Sequence, residues 1–398
     1  PPTDFTERCL LASEHAGFRR KENLNDGDLS GVLGYEHMNY RGNERRSAYV
    51  SFIKDRDLPA LTVRTEASAL SIGFDVGRRA RRVQYQRGGM LETVEARREI
   101  IVAAGALATP KLLLLSGVGP TSELRPLGVE VVADVPGVGK NLHDHPNIQL
   151  FFLAKQPLDC NYPQLYGFHH VGPTTARDGQ SDACFVFYPA RSSFREGLMR
   201  MLPAMVLPPK AYAGGTGVRL MRGAIDGLFR PALVRNFIDR MWGIVVILGK
   251  PKSRGSLTLA SSRAEDAAVI DPAYLEHPDD VTVLMNGVAK ARRIARGMAL
   301  AALGNTELIP GMMGQGDEAV LRSIKQNIMT TYHFAGTCKM GDDATAVVDR
   351  RLVLRGVSGV RIAEASIIPE TPVSAMNAPS MMVGLRAARF ALEDARGA

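Results

Sequence analysis

The sequence predicts a mixed architecture, α/β in its first third and again at its end, with an α+β portion between. Three observations predict it. "EIIVAAGALATPKLLLLSGVG", Glu99 to Gly119, reads as a continuously apolar strand, a turn of small residues and a helix, as expected in a parallel or mixed sheet. From about residue 149, short strand-like runs alternate with long loops and amphipathic helices, the pattern of an α+β domain. After residue 333, strand, turn and helix return. The expected organisation is therefore 1–148, 149–332 and 333–398, in a chain whose 398 residues suit two or three domains.

In chain order, residues 1–60 are polar and rich in Gly and Asn, with "NLNDGDLSGVLGY" as a loop, and are read as an extended N-terminal region. "ALTVRTEASALSIGFD" alternates apolar and polar residues as a strand does. The basic run "GRRARRVQYQRGG" sits between strand-like segments and reads as a hairpin; strand-like pieces continue to "EIIVAAGA". In the helix that follows, Pro110 suits the first turn, Thr109 the cap, and Gly117 and Gly119 the end. Such a strand–turn–helix aims backbone N–H groups at whatever lies above the turn, commonly a phosphate or cofactor. "VPGVGKNLHDHPN" is a Pro- and Gly-rich boundary loop. "SDACFVFYPA", "MWGIVVILG" and "RGSLTLASS" read as strands, and Asp279 to Ala299 as a helix with an aspartate-rich start. "VRIAEASIIP" is a strand plus turn. "NAPSMMVGLRAARFALEDA" is a terminal helix with Asn377 near its cap and Pro379 in its first turn.

Composition excludes several classes. Apolar residues make up 45% and charged residues 23%, with no run of about 18 apolar residues that would cross a membrane. The net charge of +8 comes from scattered arginines, a solvated face and not a nucleic-acid patch. Cys9, Cys160, Cys184 and Cys338 are too far apart for a zinc ribbon or a disulfide framework, so a reducing, cytoplasmic setting is expected. The opening Pro1-Pro2-Thr3 shows no basic-then-apolar leader, and no signal peptide is expected there.

The residues of chemical interest cluster in "TYHFAGTCKMG", Thr331 to Gly341. A zinc site needs three or four ligands, and Cys338 is the only one near His333. His143 and His145 in "NLHDHP" form a weak metal site without a carboxylate-rich neighbourhood, so no metal is assigned. Cys338 as a nucleophile lacks an oxyanion motif. From the residues alone, His333 is either a core histidine or a catalytic base.

"GALATPKLLLLSGVG", Gly105 to Gly119, resembles the second signature of the glucose–methanol–choline (GMC) flavoprotein oxidoreductases, choline dehydrogenase-like members included. The resemblance continues through "LRPLGVEVVADVPGVGKNLHDHP", "PKSRGSLTLAS", "IDPAYLEHPDD", "HFAGTCKMG", "VVDRRLVLRGVSGVRIAEASIIP" and "NAPSMMVGLRAARF", in the family's order. It implies FAD as cofactor, a small-molecule alcohol as substrate, an FAD-binding domain built from separated segments, and a substrate domain around an antiparallel sheet. His333 matches the family's catalytic histidine and implies a general base. Asn377 matches the second catalytic position, ahead of Ala378 and Pro379. Ala69 matches a backbone contact to the adenine; Ala104 and Gly105 match backbone near FAD. Glu364 and Ala365 stand where the family usually has Asp-Ala beside the ribityl and phosphate region, and Ala378 and Pro379 lie toward the flavin.

One family feature is absent. No Gly-x-Gly-x-x-Gly occurs, and the nearest string, "GGTGVRLMRG" from Gly214, has the wrong spacing. The expectation is an incomplete FAD-binding Rossmann-like domain in the C-terminal part of a longer enzyme, holding FAD poorly by itself. The rival readings are a non-redox lyase on the same scaffold and a catalytically inert fragment. Which alcohol reacts, and which electron acceptor follows, is not readable from the sequence.

Overall fold

The computed structural model describes residues 2–397 except 163, 174–179, 209–210, 213–214 and 312–315; Gly214 thus lies outside the described residues. The chain folds into two compact units, each drawn from three segments. The first comprises Pro1–His37, Pro146–Gly249 and Pro278–Met329; the second, Met38–His145, Lys250–His277 and Thr330–Ala398. Two of the breaks between the units fall at 145/146 and 329/330. Residues 1–37 and 250–277 group otherwise than expected, for reasons given below.

The first unit is organised by a mixed sheet. Its strands run in the order Arg19–Arg20, Val32–Tyr35, Leu165–His169, Ala183–Pro189, Met241–Leu248, Pro146–Leu153 and Thr306–Ile309. The first pair is parallel and the rest antiparallel. "MWGIVVILG" is the buried strand its apolar run predicts: Met241, Trp242, Ile244, Val246 and Leu248 are all in the core. Trp242 stacks on Phe152 at 4.6 Å between ring centroids and meets Phe5 edge-on at 5.4 Å, while its indole N–H donates to Asn305 Oδ1 at 3.1 Å. The helix Pro278–Ala295 covers the sheet with Val283, Leu284, Val288, Ala291 and Ile294.

The N-terminal region is not extended. Asp4–His15 is a helix, capped by Thr3 and Thr6 in a reciprocal capping box, with Phe5, Cys9, Leu10 and Ala12 buried. Residues Val32–Tyr35 then add a strand beside Leu165–His169. Burial of these apolar side chains ties residues 1–37 to the first unit, and a polar average hid them.

The second unit holds smaller sheets around one core that includes Leu113, Leu114, Val118, Leu257, Val347, Leu354 and Ile362. Ala67–Phe74, Ala80–Arg87 and Met90–Glu95 form an antiparallel meander, so most of the basic run expected as a hairpin is its middle strand. Ile100–Val102 pairs in parallel with Val360–Ile362 and leaves Ile101 48% exposed, so this strand is less buried than its composition suggests. The helix after it spans Ala108–Leu115 with Leu107 at its cap; Thr109 lies inside the first turn, its N–H bonded to Gly105 O at 2.9 Å. Thr109 is therefore not the cap. The segment 250–277 joins this unit through backbone bonds: Leu142 and Gly255 exchange two, at 3.0 and 2.8 Å, and Leu257 N–H donates to Gly139 O at 2.7 Å. The chain ends in the helix Asn377–Gly397. The fully buried Arg361 holds that helix by an ion pair to Asp394 at 2.7 Å.

Candidate active site

The site grows from two loops of the second unit. "NLHDHP" and "HFAGTC" run side by side, with His143 N–H donating to Ala335 O at 3.1 Å and Ala335 N–H to His143 O at 2.9 Å. Gly336 permits the approach. Its φ is +86°, and a Cβ there would lie 2.3 Å from Asn141 O and 2.5 Å from His143 Cε1. Thr337 Oγ1 then donates to Ala106 O at 2.6 Å, tying the loop to the turn before the helix Ala108–Leu115.

This crossing gathers His145, Asp144 and His333. His333 N–H donates to Asp144 Oδ1 at 2.7 Å, and the Nδ1 atoms of His145 and His333 lie 3.0 Å apart with rings nearly perpendicular. Asp144 is buried and also accepts from Thr330 Oγ1 at 2.5 Å and from the Tyr274 hydroxyl. Thr331 Oγ1 donates to His145 O at 2.7 Å. Sequence reasoning passed over Asp144, Tyr274 and Thr330. An aspartate between two histidines was the available signal, and it was weighed only as a metal site.

Electrostatics favour neutral imidazoles. Burial lowers the His333 pKa, partly offset by the Asp144 charge. Burial and the neighbouring His333 push His145 down to about 3. Burial and Arg254 push His143 down to about 4; its Nδ1–H donates to Asn141 O at 2.7 Å. With His145 and His333 both neutral, one Nδ1 donates and the other accepts. Cys338 is fully buried and its thiol is held far above the ordinary range by that burial, so it is not a nucleophile.

The remaining expected site residues fall around this junction unevenly. Asn377 and Ala378 are exposed in the first turn of the terminal helix, with Pro379 after them; among the described residues no hydrogen bond joins Asn377 to His333. Ala69 is exposed on the edge strand of the meander. Ala104 is exposed and Gly105 half-buried, in the turn after Ile100–Val102, where Gly105 has φ +88° and open space around it. Glu364 turns its carboxylate back on its own chain, accepting from Ser366 N–H at 2.8 Å and from the Ser366 hydroxyl, and burial raises its pKa. Ala365 follows in that single turn of 3₁₀ helix. Small residues with open backbone at 69, 104, 105 and 378 fit a flat cofactor approached through main-chain atoms. Glu364 fits only through its backbone, and no residue of this sequence supplies a Gly-rich pyrophosphate turn.

Two family models, both described as GMC oxidoreductase, match residues 4–147 and 251–384. The chain belongs to the GMC oxidoreductase family. Members of this family are FAD flavoproteins. An oxygen-dependent choline dehydrogenase of Sinorhizobium fredii is 32% identical over 389 residues, covering 95% of this chain and 66% of the relative. An alcohol dehydrogenase [acceptor] of Pseudomonas putida is 31% identical over 395 residues, covering 94% and 66%. The chain thus spans 66% of the length of each of these relatives. Pyridoxine 4-oxidase from Mesorbium loti shares the fold, with a TM-score of 0.78 at 24% identity, over 96% of this chain and 68% of that one. The relatives carry oxidase and dehydrogenase names, and the lyase and inert-fragment readings find no support among them. Among the described residues, no helix is long and apolar enough to cross a membrane.

Proposed function

We propose that this GMC oxidoreductase oxidises the CH–OH group of a small-molecule alcohol, with His333 as general base. The observation that carries the reading is the Asp144–His333–His145 junction, in which a neutral, half-buried imidazole is fixed from both its backbone and its ring. A base for an alcohol proton must be unprotonated near pH 7 and held still, and burial with backbone anchoring supplies both. If His333 donates its Nδ1–H to His145 Nδ1, its Nε2 is left bare to take the hydroxyl proton. Asp144 holds the main chain at His333 and favours the positive charge that the ring then acquires. The Asn377 amide steadies the alcohol oxygen as negative charge develops.

FAD, when bound, accepts the hydride from the alcohol carbon. The second unit is read as an incomplete Rossmann-like FAD-binding domain and the first as the substrate domain. Backbone at Ala69 would meet the adenine, Ala104, Gly105, Glu364 and Ala365 the middle of the cofactor, and Ala378 and Pro379 the flavin end.

The test is His333→Ala in protein expressed from the complete coding sequence. Anaerobic flavin reduction by alcohol should slow at least ~100-fold, the scale of a lost general base, with FAD still bound. Reduction at a near-normal rate would overturn the assignment.

A further inference from the structure

The first unit holds an open-mouthed cavity of about 630 Å³, within the range that holds small ligands. Its floor is two rows of the sheet. In one, Gln149, Val245 and Val186 stand abreast on three neighbouring strands; in the other, Phe151, Gly243 and Tyr188 do. Gly243 has no side chain because a Cβ there would lie 2.8 Å from the Tyr188 ring, which covers the place. Ile148, Phe194 and Met329 help to close the walls. None of the described residues lining this space is charged. The two polar tips on the floor satisfy each other, Tyr188 OH donating to Gln149 Oε1 at 3.0 Å.

We propose that this cavity takes the apolar body of an alkyl or aryl alcohol, and not a quaternary ammonium alcohol or a polyol. The proposal rests on the oxidoreductase reading for what becomes of the alcohol. The connection to that reading is covalent: Ile148 follows His145 by three residues and Met329 precedes His333 by four.

A permanent cation buried here would meet no carboxylate among the described lining residues, and an uncompensated buried charge is costly. An aromatic cage is the other way to hold such a cation. The rings present are already paired edge to face with one another, Phe151 with Tyr188 and with Phe194, each at 5.8 Å. Among the described lining residues a polyol would find side-chain partners only at Gln149, Tyr188, Gln326 and Asn327, and would turn its other hydroxyls to Val186, Val245 and Ile148.

The experiment uses FAD-loaded protein from the complete coding sequence. Anaerobic flavin reduction is measured with 1-alkanols from ethanol to 1-decanol, benzyl alcohol, glycerol and choline. The second-order rate constant should rise about fourfold per methylene, the transfer free energy of a buried CH₂, until the cavity is full. Val245→Phe should move that plateau to shorter alkanols and Val245→Ala to longer ones; the smaller variant keeps the test alive if the larger fails to fold. Displacement of Nile red by 1-octanol reads binding without turnover. Flavin reduction by choline, with alkanols neither reducing the flavin nor displacing the dye, would overturn the cavity assignment and leave the oxidoreductase reading intact. Displacement by octanol with no alcohol reducing the flavin would support the cavity and overturn the oxidoreductase reading.

Discussion

Two parts of the same unit carry the proposed chemistry, and they are held in opposite ways. The junction at His145 and His333 is dense: two loops exchange backbone bonds, Asp144 accepts three more, and a glycine is required where they cross. Asn377 stands exposed at the start of a helix, with no side-chain hydrogen bond among the described residues; the helix begins where Met376 O accepts from Ser380 N–H at 3.0 Å and Ser380 Oγ at 2.8 Å. The difference teaches that the base is fixed by contacts made to its own side chain and main chain, and the amide only through the helix that carries it. Damage near the base should therefore cost stability as well as rate, and damage to the amide should cost rate alone.

The strongest way to break this comparison is Asp144→Ala. It strands three donors, from Tyr274, Thr330 and the His333 backbone, and should destabilise the protein by about 4 kcal/mol in a denaturant titration, since each orphaned buried group costs about 1–3. A loss below about 1 kcal/mol would mean that water replaces the carboxylate without penalty. Next, Gly336→Ala puts a methyl within 2.3 Å of Asn141 O, at a backbone angle unfavourable to any side chain. It should cost about 3 kcal/mol and lower the melting temperature clearly. A variant as stable as the parent would show that the loops can separate.

Asn377→Ala sharpens the other side of the comparison. Flavin reduction should slow about tenfold, roughly 1.4 kcal/mol, with the melting temperature unchanged. An unchanged rate would reduce Asn377 to part of a helix terminus. The last test is in pH. His143 and His145 titrate at about 4 and about 3 in the folded chain, below the ordinary 6.5. Below pH 6.5 the unfolded chain binds more protons, so stability present above that value is lost as pH falls toward 3, by at most about 1.4 kcal/mol per pH unit for each group. Melting temperatures from pH 7.5 to 4.5 should show the decline, and His145→Gln should flatten it. An equal slope in that variant would place the titrating groups elsewhere.

Much was legible in the sequence because local periodicity reports burial. Met241–Leu248, Pro278–Ala295 and Asn377–Gly397 stand where their patterns place them, give or take a few residues. The motif around His333 marked the family without any structure, since its glycines and histidine occur at fixed spacing in one short segment. Other features were decided by tertiary structure alone. Asp144 meets the backbone of His333 across 189 positions of sequence, and residues 250–257 join the second unit through main-chain bonds at Leu142 and Gly139. A backbone bond does not depend on which side chain accompanies it, so these pairings leave no periodic trace. The helix at Asp4–His15 was hidden for a related reason: its four buried apolar residues, Phe5, Cys9, Leu10 and Ala12, are diluted by polar neighbours, and only the neighbouring elements show that this face is buried. Side-chain patterns determine which face of an element leaves water, whereas the partner that receives it is chosen among distant segments by packing and backbone pairing together.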